Sequence, residues 1–454
     1  MKLFKHQEEA LDFLSRRDQA GIFYEMGMGK CLIMLEHFKR IKPQRILIIC
    51  PNSITGVWLD EAFKWDSPFS AVILQGTKKK RLELLAEDAD ICIINYEGLR
   101  VMKDQLLAMN FDCVVCDESL RIKNHRSQQS KIAYELGKQA TYRYILTGTP
   151  VSVSPMDIWM QINFLSFKTL GRLQCFKNNY CVMKRFKFGS REVLKPVGFK
   201  NMGQLQRELK TICLRKTKKE CLDLPEKIYQ TIPCHMTWEQ KRKYESLKKK
   251  LKIVVEEEGN AKEIRVKNAM SLFTKLHQVS QGFIFDAGHE PHYFKSAKES
   301  ALEDLLENLT NKKVIVWAWY RPDVARIIKV VEKMGRRALV LDGNSEERMG
   351  IINDFQNCED APVFVGQIAK AGEGITLTAS SYAVYYGNSW SLGQRLQSED
   401  RNHRIGTTEA VTYYDLVTPE TIDNLLFQSL KKKRGFHEMI TGDTLRIASE
   451  IINQ

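Results

Sequence analysis

Nearly continuous apolar runs of three to five residues recur along the chain, each bounded by polar or turn-forming residues. In the first third they fall at 46–50, 91–94, 113–116 and 144–146. A strand with one wetted face alternates apolar and polar residues, whereas a strand that is apolar throughout is covered on both faces, as in a parallel sheet flanked by helices. The intervals leave room for a crossover helix between successive strands. Residues 1–165 are therefore expected to form a doubly wound α/β domain. A second series at 314–317, 338–341, 363–365, 383–386 and 411–414 predicts another α/β domain over 296–434. Between them, 166–295 is rich in Lys, Arg and Glu, and 238–252 and 261–281 read as charged helices. This segment is expected to be mostly helical, an insertion and linker between the two lobes, with 435–454 as a helical C-terminal tail.

Composition narrows the class. The 454 residues allow two or three domains, and 43% hydrophobic content suits an ordinary globular interior. The 69 Lys and Arg exceed the 55 Asp and Glu, giving a formal charge of +14 and a field that favours a polyanionic partner. Eleven cysteines, odd in number and mostly set in apolar runs, argue for a reducing compartment rather than a disulfide framework. Cys113 and Cys116 have the spacing of half a zinc site, but a strand places residues three apart on opposite faces. No apolar run approaches the roughly 18 residues of a membrane span, so no membrane partner is expected. The expected setting is the cytoplasm of a bacterial or phage-infected cell.

The chemistry begins at Gly27-Met28-Gly29-Lys30, which follows the apolar Gly21-Ile22-Phe23-Tyr24 and opens a helical run from Cys31. Glycines allow backbone amides to turn toward phosphate, a lysine adds a point charge, and the helix offers its positive end. Asp117-Glu118 closes the apolar run at 113–116 and should emerge at the carboxyl edge of the sheet, where open α/β folds bind ligands. One carboxylate can hold magnesium while the next orients a water. Far downstream, Gln397, Asp400, Arg401 and Arg404 form a cluster of the arginine-finger kind.

The ordered set Asp117-Glu118-Ser119-Leu120, Leu146-Thr147-Gly148-Thr149-Pro150 and Gln397 through Arg401 to Arg404-Ile405-Gly406 resembles the SWI/SNF-type branch of the superfamily 2 helicase-like ATPases. The resemblance extends over nearly the whole chain. It implies two RecA-like lobes with ATP between them. Gln7 would read adenine, and Gly27, Met28, Gly29, Lys30 and the Cys31 position would line the phosphates. Asp117 would hold Mg2+ and Glu118 would position water. Thr147 and Thr149 would couple that site to DNA, and Gly374, Gln397, Arg401 and Arg404 would close from the second lobe. Strand tracking would use Ser53, Asn95 and Tyr96 from the first lobe with Trp317, Gly343 and Thr376 from the second.

Two departures stand out. The family places Thr or Ser after the P-loop lysine as a magnesium ligand, and here the residue is Cys31, a poor partner for a hard cation. Leu120 replaces a polar residue that could tie the acids to the coupling motif. Outside the shared motifs, Lys184-Arg185-Phe186-Lys187-Phe188 interleaves cations with aromatics, which suits a wedge against branched DNA or, alternatively, a β-hairpin turning at Gly189-Ser190. The expected function is a monomeric ATP-dependent DNA translocase that remodels branches by fork regression, branch migration or strand reannealing, or displaces bound proteins. A nucleotide-gated DNA clamp and an RNA helicase are the alternatives.

Overall fold

The apolar runs become the interior strands of two parallel sheets. The computed structural model describes residues 3–151, 154–188, 191–256, 262–341, 348–371, 375–388, 390–432 and 451. They divide into two compact units, Met1–Asp223 and Leu224–Gln454.

In the first unit the strands are β1 (Gln19–Tyr24), β2 (Ile46–Cys50), β3 (Ala71–Ile73), β4 (Ile91–Asn95), β5 (Cys113–Asp117), β6 (Tyr142–Leu146), β7 (Cys181–Phe188), β8 (Arg191–Phe199) and β9 (Cys213–Lys216). Seven of them make one parallel sheet in the order β3-β4-β2-β5-β6-β1-β9, while β7 and β8 pair separately as an antiparallel hairpin. Both faces are buried. Leu47, Ile49, Ile94, Val114 and Cys116 pack on one side, and Ile46, Ile48, Ile93, Cys113 and Val115 on the other. Cys113 and Cys116 thus point to opposite faces of β5, as their spacing requires, and no metal-ligating cluster occurs among the described residues. The topology places β1, β6 and β5 side by side, so the loops leaving their carboxyl ends converge.

The second unit holds β10 (Lys227–Pro233), β11 (Phe283–Phe285), β12 (Pro291–Tyr293), β13 (Val314–Ala318), β14 (Ala338–Leu341), β15 (Val363–Gln367), β16 (Tyr382–Tyr385) and β17 (Val411–Val417). Its sheet, also parallel, runs β10-β17-β16-β13-β15-β14. Both units are RecA-like α/β lobes, as expected. Among the described residues no helix is long and apolar enough to cross a membrane.

The segment 166–295 differs from a helical insertion. β9 extends the first sheet beside β1, and β10 edges the second beside β17. Both are outermost strands, so their sequences carry more polar residues than the central runs; β10 follows the break at 222–227, where a short extended run is expected, and β9 has no strand pattern of its own. The boundary between units falls inside this segment. The two long helices predicted there do form, as Trp238–Glu256 and Lys262–Gln281, and pack with the helix Ile422–Lys431 in the second unit. Apart from Ile451, the tail 435–454 lies outside the described residues.

Candidate functional site

The loop after β1 is shaped by two glycines whose φ angles, 76° at Gly27 and 77° at Gly29, lie in the left-handed region. Gly29 caps the helix Lys30–Ile41. A Cβ there would strike the side-chain amide of Gln7, so the loop needs glycine for space as well as conformation. Gln7 is itself fixed, its Oε1 accepting from the Phe4 amide at 3.0 Å. Next to it, His6 Nε2 donates to the Met28 carbonyl at 3.2 Å, and the Tyr24 hydroxyl donates to the His6 carbonyl at 2.8 Å. The helix Lys5–Ser15 is thereby joined to the loop, whose Met28 side chain is fully buried. Lys30 Nζ bonds the carbonyls of Tyr24 and Glu25 at 3.0 and 3.4 Å, inside the turn.

Asp117 ends β5 and is nearly buried. The Trp58 indole donates to its Oδ2 at 3.0 Å and the Glu118 amide to its Oδ1 at 2.8 Å, while the Tyr96 hydroxyl donates to its carbonyl at 2.8 Å. Burial raises the Asp117 pKa against the pull of Lys30 and these hydrogen bonds. Glu118 turns away with φ 47°, and its Oε2 accepts from the Thr147 hydroxyl at 3.3 Å. Thr147 Oγ1 in turn accepts from the Thr149 amide at 3.1 Å. Burial pushes the Cys31 thiol well above its ordinary value, with the Asp117 and Glu61 carboxylates adding to the effect and Lys30 opposing it. The thiol stays protonated, so Asp117 fits a divalent cation and Cys31 does not.

A second link went unnoticed in the sequence. Ser119, fully buried, donates to Gln161 Oε1 at 2.7 Å, and Gln161 Nε2 donates to the carbonyls of Pro150 and Asp157 at 2.7 and 2.8 Å. The loss of a polar group at Leu120 therefore does not isolate the acids. The signal was a lone glutamine within the apolar helix Asp157–Leu165, whose burial demands a partner.

In the second unit, Gln397 lies on the helix Leu392–Glu399, and Arg401 and Arg404 follow it. Arg401 is only 6% exposed; its guanidinium donates to the carbonyls of Gln397 and Ile375 at 3.0 and 3.3 Å. Arg404 donates to the Thr376 hydroxyl at 2.7 Å. The helix is anchored by buried charge that motif reading overlooked. Arg395 contacts both oxygens of Asp415, donates to Glu399 at 2.8 Å, and lies 3.3 Å from the centre of the Tyr385 ring. Glu399 also accepts from Lys227 at 3.0 Å and the Tyr229 hydroxyl at 2.8 Å, tying the helix to β10. The available signal was the Arg395/Glu399 spacing of four inside a motif otherwise read for its arginines.

The tracking residues divide. Ser53 and Asn95 are half-buried at the ends of β2 and β4, and Asn95 Oδ1 accepts from the Gly98 amide at 3.1 Å and Arg81 at 3.3 Å. Tyr96 and Trp317, expected at a nucleic-acid surface, are fully buried instead: Tyr96 supports Asp117, and Trp317 packs inside the second sheet against Phe364. Gly343 and Gly374 lie outside the described residues. Lys184 and Arg185 are exposed on β7, and the antiparallel ladder with β8 pairs Lys184 with Lys195 and Phe186 with Val193, while Gly189 and Ser190, the expected turn, lie outside the described residues. The side chains of Phe186 and Phe188 lie outside the described residues.

Residues 6–282 match the SNF2-related domain, and 297–406 match the helicase conserved C-terminal domain. The chain is 29% identical to the human DNA annealing helicase and endonuclease ZRANB3, over 99% of its own length and 41% of that protein. It is 25% identical to the Caenorhabditis elegans homolog of SWI/SNF-related matrix-associated actin-dependent regulator of chromatin subfamily A-like protein 1, covering 99% of this chain and 64% of the relative. The Sulfolobus solfataricus SWI2/SNF2 ATPase core in complex with dsDNA aligns with a TM-score of 0.46 at 24% identity, covering 99% of this chain and 95% of that one. The chain thus spans about two-fifths of the ZRANB3 length. With the SNF2-related match covering more than half of its residues, it belongs to the SNF2-related family of helicase-like ATPases.

Proposed function

We propose that the chain is a DNA-stimulated ATPase that translocates on DNA and remodels branched structures by fork regression, branch migration or strand reannealing. The observation that carries this reading is the continuous hydrogen-bonded path Asp117-Glu118-Thr147-Thr149 beside Lys30 and the glycine turn. In it Gln7 recognises adenine, the amides of 27–31 and Lys30 hold the phosphates, and Glu118, steered by Thr147, orients the attacking water. Asp117 holds Mg2+, which when bound neutralises phosphate charge. Arg401 and Arg404 act on charge that grows in the transition state, with Gln397 beside them, and Thr376 joins Arg404 to the strand-tracking side. Ser53 and Asn95 contact phosphate without reading sequence, and the hairpin carrying Lys184 and Arg185 meets the branch. The name of the human relative, a DNA annealing helicase, supports a strand-reannealing output.

Phosphate release measured without nucleic acid and with single strands, duplex, forks, four-way junctions and RNA tests the proposal. Stimulation by DNA, strongest on branched forms, is expected. Equal or greater stimulation by RNA overturns it. A clamp that binds ATP and DNA with little turnover is favoured by one feature, the protonated Cys31 thiol where a hard ligand would help, and absence of phosphate release with any DNA would establish that reading instead.

A further inference from the structure

The helix Trp238–Glu256 carries seven Lys or Arg against three Glu. Gln240, Tyr244, Leu247 and Leu251, spaced four, three and four apart, are buried along one face. The opposite face bears Trp238, Arg242, Lys249 and Lys252, all exposed, over about 21 Å of helix. Trp238 is 75% exposed, and the Arg242 guanidinium lies 4.9 Å from its ring centre. Burial in the core accounts for neither of these two side chains. Glu245, within this stripe between Arg242 and Lys249, lies 3.9 Å from Lys248.

We propose that this face binds single-stranded DNA, with Trp238 stacking on a base and Arg242, Lys249 and Lys252 following the phosphates. The charge selects a polyanion. The exposed indole selects an unpaired strand, because a base offers its face only when it is not stacked in a duplex. Arg242 lies over one face of the ring and leaves the other for a base, with a cation close to the stack, so affinity and position come from adjacent residues. The inference rests on the DNA reading above and deepens it: strands freed at a remodelled branch would be held here.

The test uses the full chain without nucleotide, titrated into fluorescein-labelled oligo-dT and into blunt duplex of equal length at several salt concentrations. Trp238→Ala should weaken oligo-dT binding about tenfold. Arg242→Glu with Lys249→Glu and Lys252→Glu should weaken it at least as much and flatten the salt dependence by about 2 in slope, three cations at ~0.7 each. Duplex affinity and duplex-stimulated phosphate release should stay as in the unaltered chain, and circular dichroism with the melting temperature verifies folding of these surface variants. Unchanged oligo-dT affinity and slope overturn the proposal, and so does an equal loss on duplex, which marks a general phosphate contact. Absence of DNA-stimulated hydrolysis in the unaltered chain would sink the proposed function while leaving the oligo-dT measurement intact, so the two failures are distinguishable.

Discussion

Around Asp117 the first unit relies on neutral hydrogen bonds: the Trp58 indole, the Glu118 amide, the Tyr96 hydroxyl, and the Ser119–Gln161 pair that reaches Pro150. The second unit fixes its arginine-bearing helix with buried charge, Arg395 against Asp415 and Glu399, and Glu399 against Lys227. A similar cluster recurs behind its sheet, where Lys298 pairs with Asp423 at 2.9 Å. The difference follows from what each scaffold presents. The neutral donors at Asp117 oppose the upward push of burial on its carboxyl. Helix-anchoring cations in the second unit are matched by carboxylates, while the hydrogen bonds of Arg401 and Arg404 include ones to the carbonyls of Gln397 and Ile375 and to the Thr376 hydroxyl.

The sharpest way to break this comparison is to remove a charge from the second scaffold. Asp415→Ala leaves buried Arg395 with the Asn388 side-chain oxygen and with Glu399, a carboxylate it shares with Lys227. Losing one partner of a buried ion pair costs about 3–5 kcal/mol, because the remaining charge loses its compensation. Urea denaturation should show that loss. A change under about 1 kcal/mol would mean the network behaves like surface ion pairs and the contrast between the units fails.

Arg404→Ala separates function from scaffold. Removing a group that acts on developing charge costs about 10²–10³ in turnover, so kcat should fall by that factor while ATP binding and the melting temperature change little. Lys30→Ala, by contrast, should impair both binding and turnover. Retention of near-normal DNA-stimulated hydrolysis by Arg404→Ala removes Arg404 from the proposed machinery.

In the first unit the matching change is Gln161→Leu. It preserves bulk but strands the Ser119 hydroxyl and the Pro150 carbonyl, at about 1–3 kcal/mol of stability. Since Gln161 joins the acid-bearing turn to the loop of Thr149 and Pro150, the ratio of DNA-stimulated to basal hydrolysis should fall severalfold, about the factor that 1 kcal/mol represents. An unchanged ratio would make this pair a packing device only.

What could be read from sequence was local. Runs such as 113–116 announced buried strands, and glycine, lysine and paired acids stood at strand ends where their chemistry needs them. Groups defined by partners distant in sequence were illegible: Gln161 meets Ser119 across 42 residues, and Lys227 meets Glu399 across 172. β9 escaped because an outermost strand needs fewer apolar residues. Tyr96 and Trp317 show the opposite failure, in which motif position outweighed pattern. Trp317 lies within the same apolar run that predicted a strand buried on both faces, and that run should have placed it in the core.

The smallest effect is expected from Cys31→Thr, and it bears on whether the first unit's neutral scaffold suffices around the metal. The thiol is held protonated by burial and by Asp117, so it adds no hard ligand; threonine supplies a hydroxyl of similar size at the start of the helix Lys30–Ile41. Helix propensity changes by only a few tenths of a kcal/mol, roughly within measurement error for stability. Phosphate release should be preserved or rise by no more than about tenfold, with half-maximal activity at a lower Mg2+ concentration, because a hydroxyl can share a cation that Asp117 otherwise holds with water. Replacing Mg2+ by Mn2+, which tolerates softer surroundings, should then benefit the cysteine form more than the threonine form. A severe loss in Cys31→Thr, with folding intact, would show that the thiol fills its position for packing against Asp117 and that the hydroxyl of the wider family is not merely missing here but excluded.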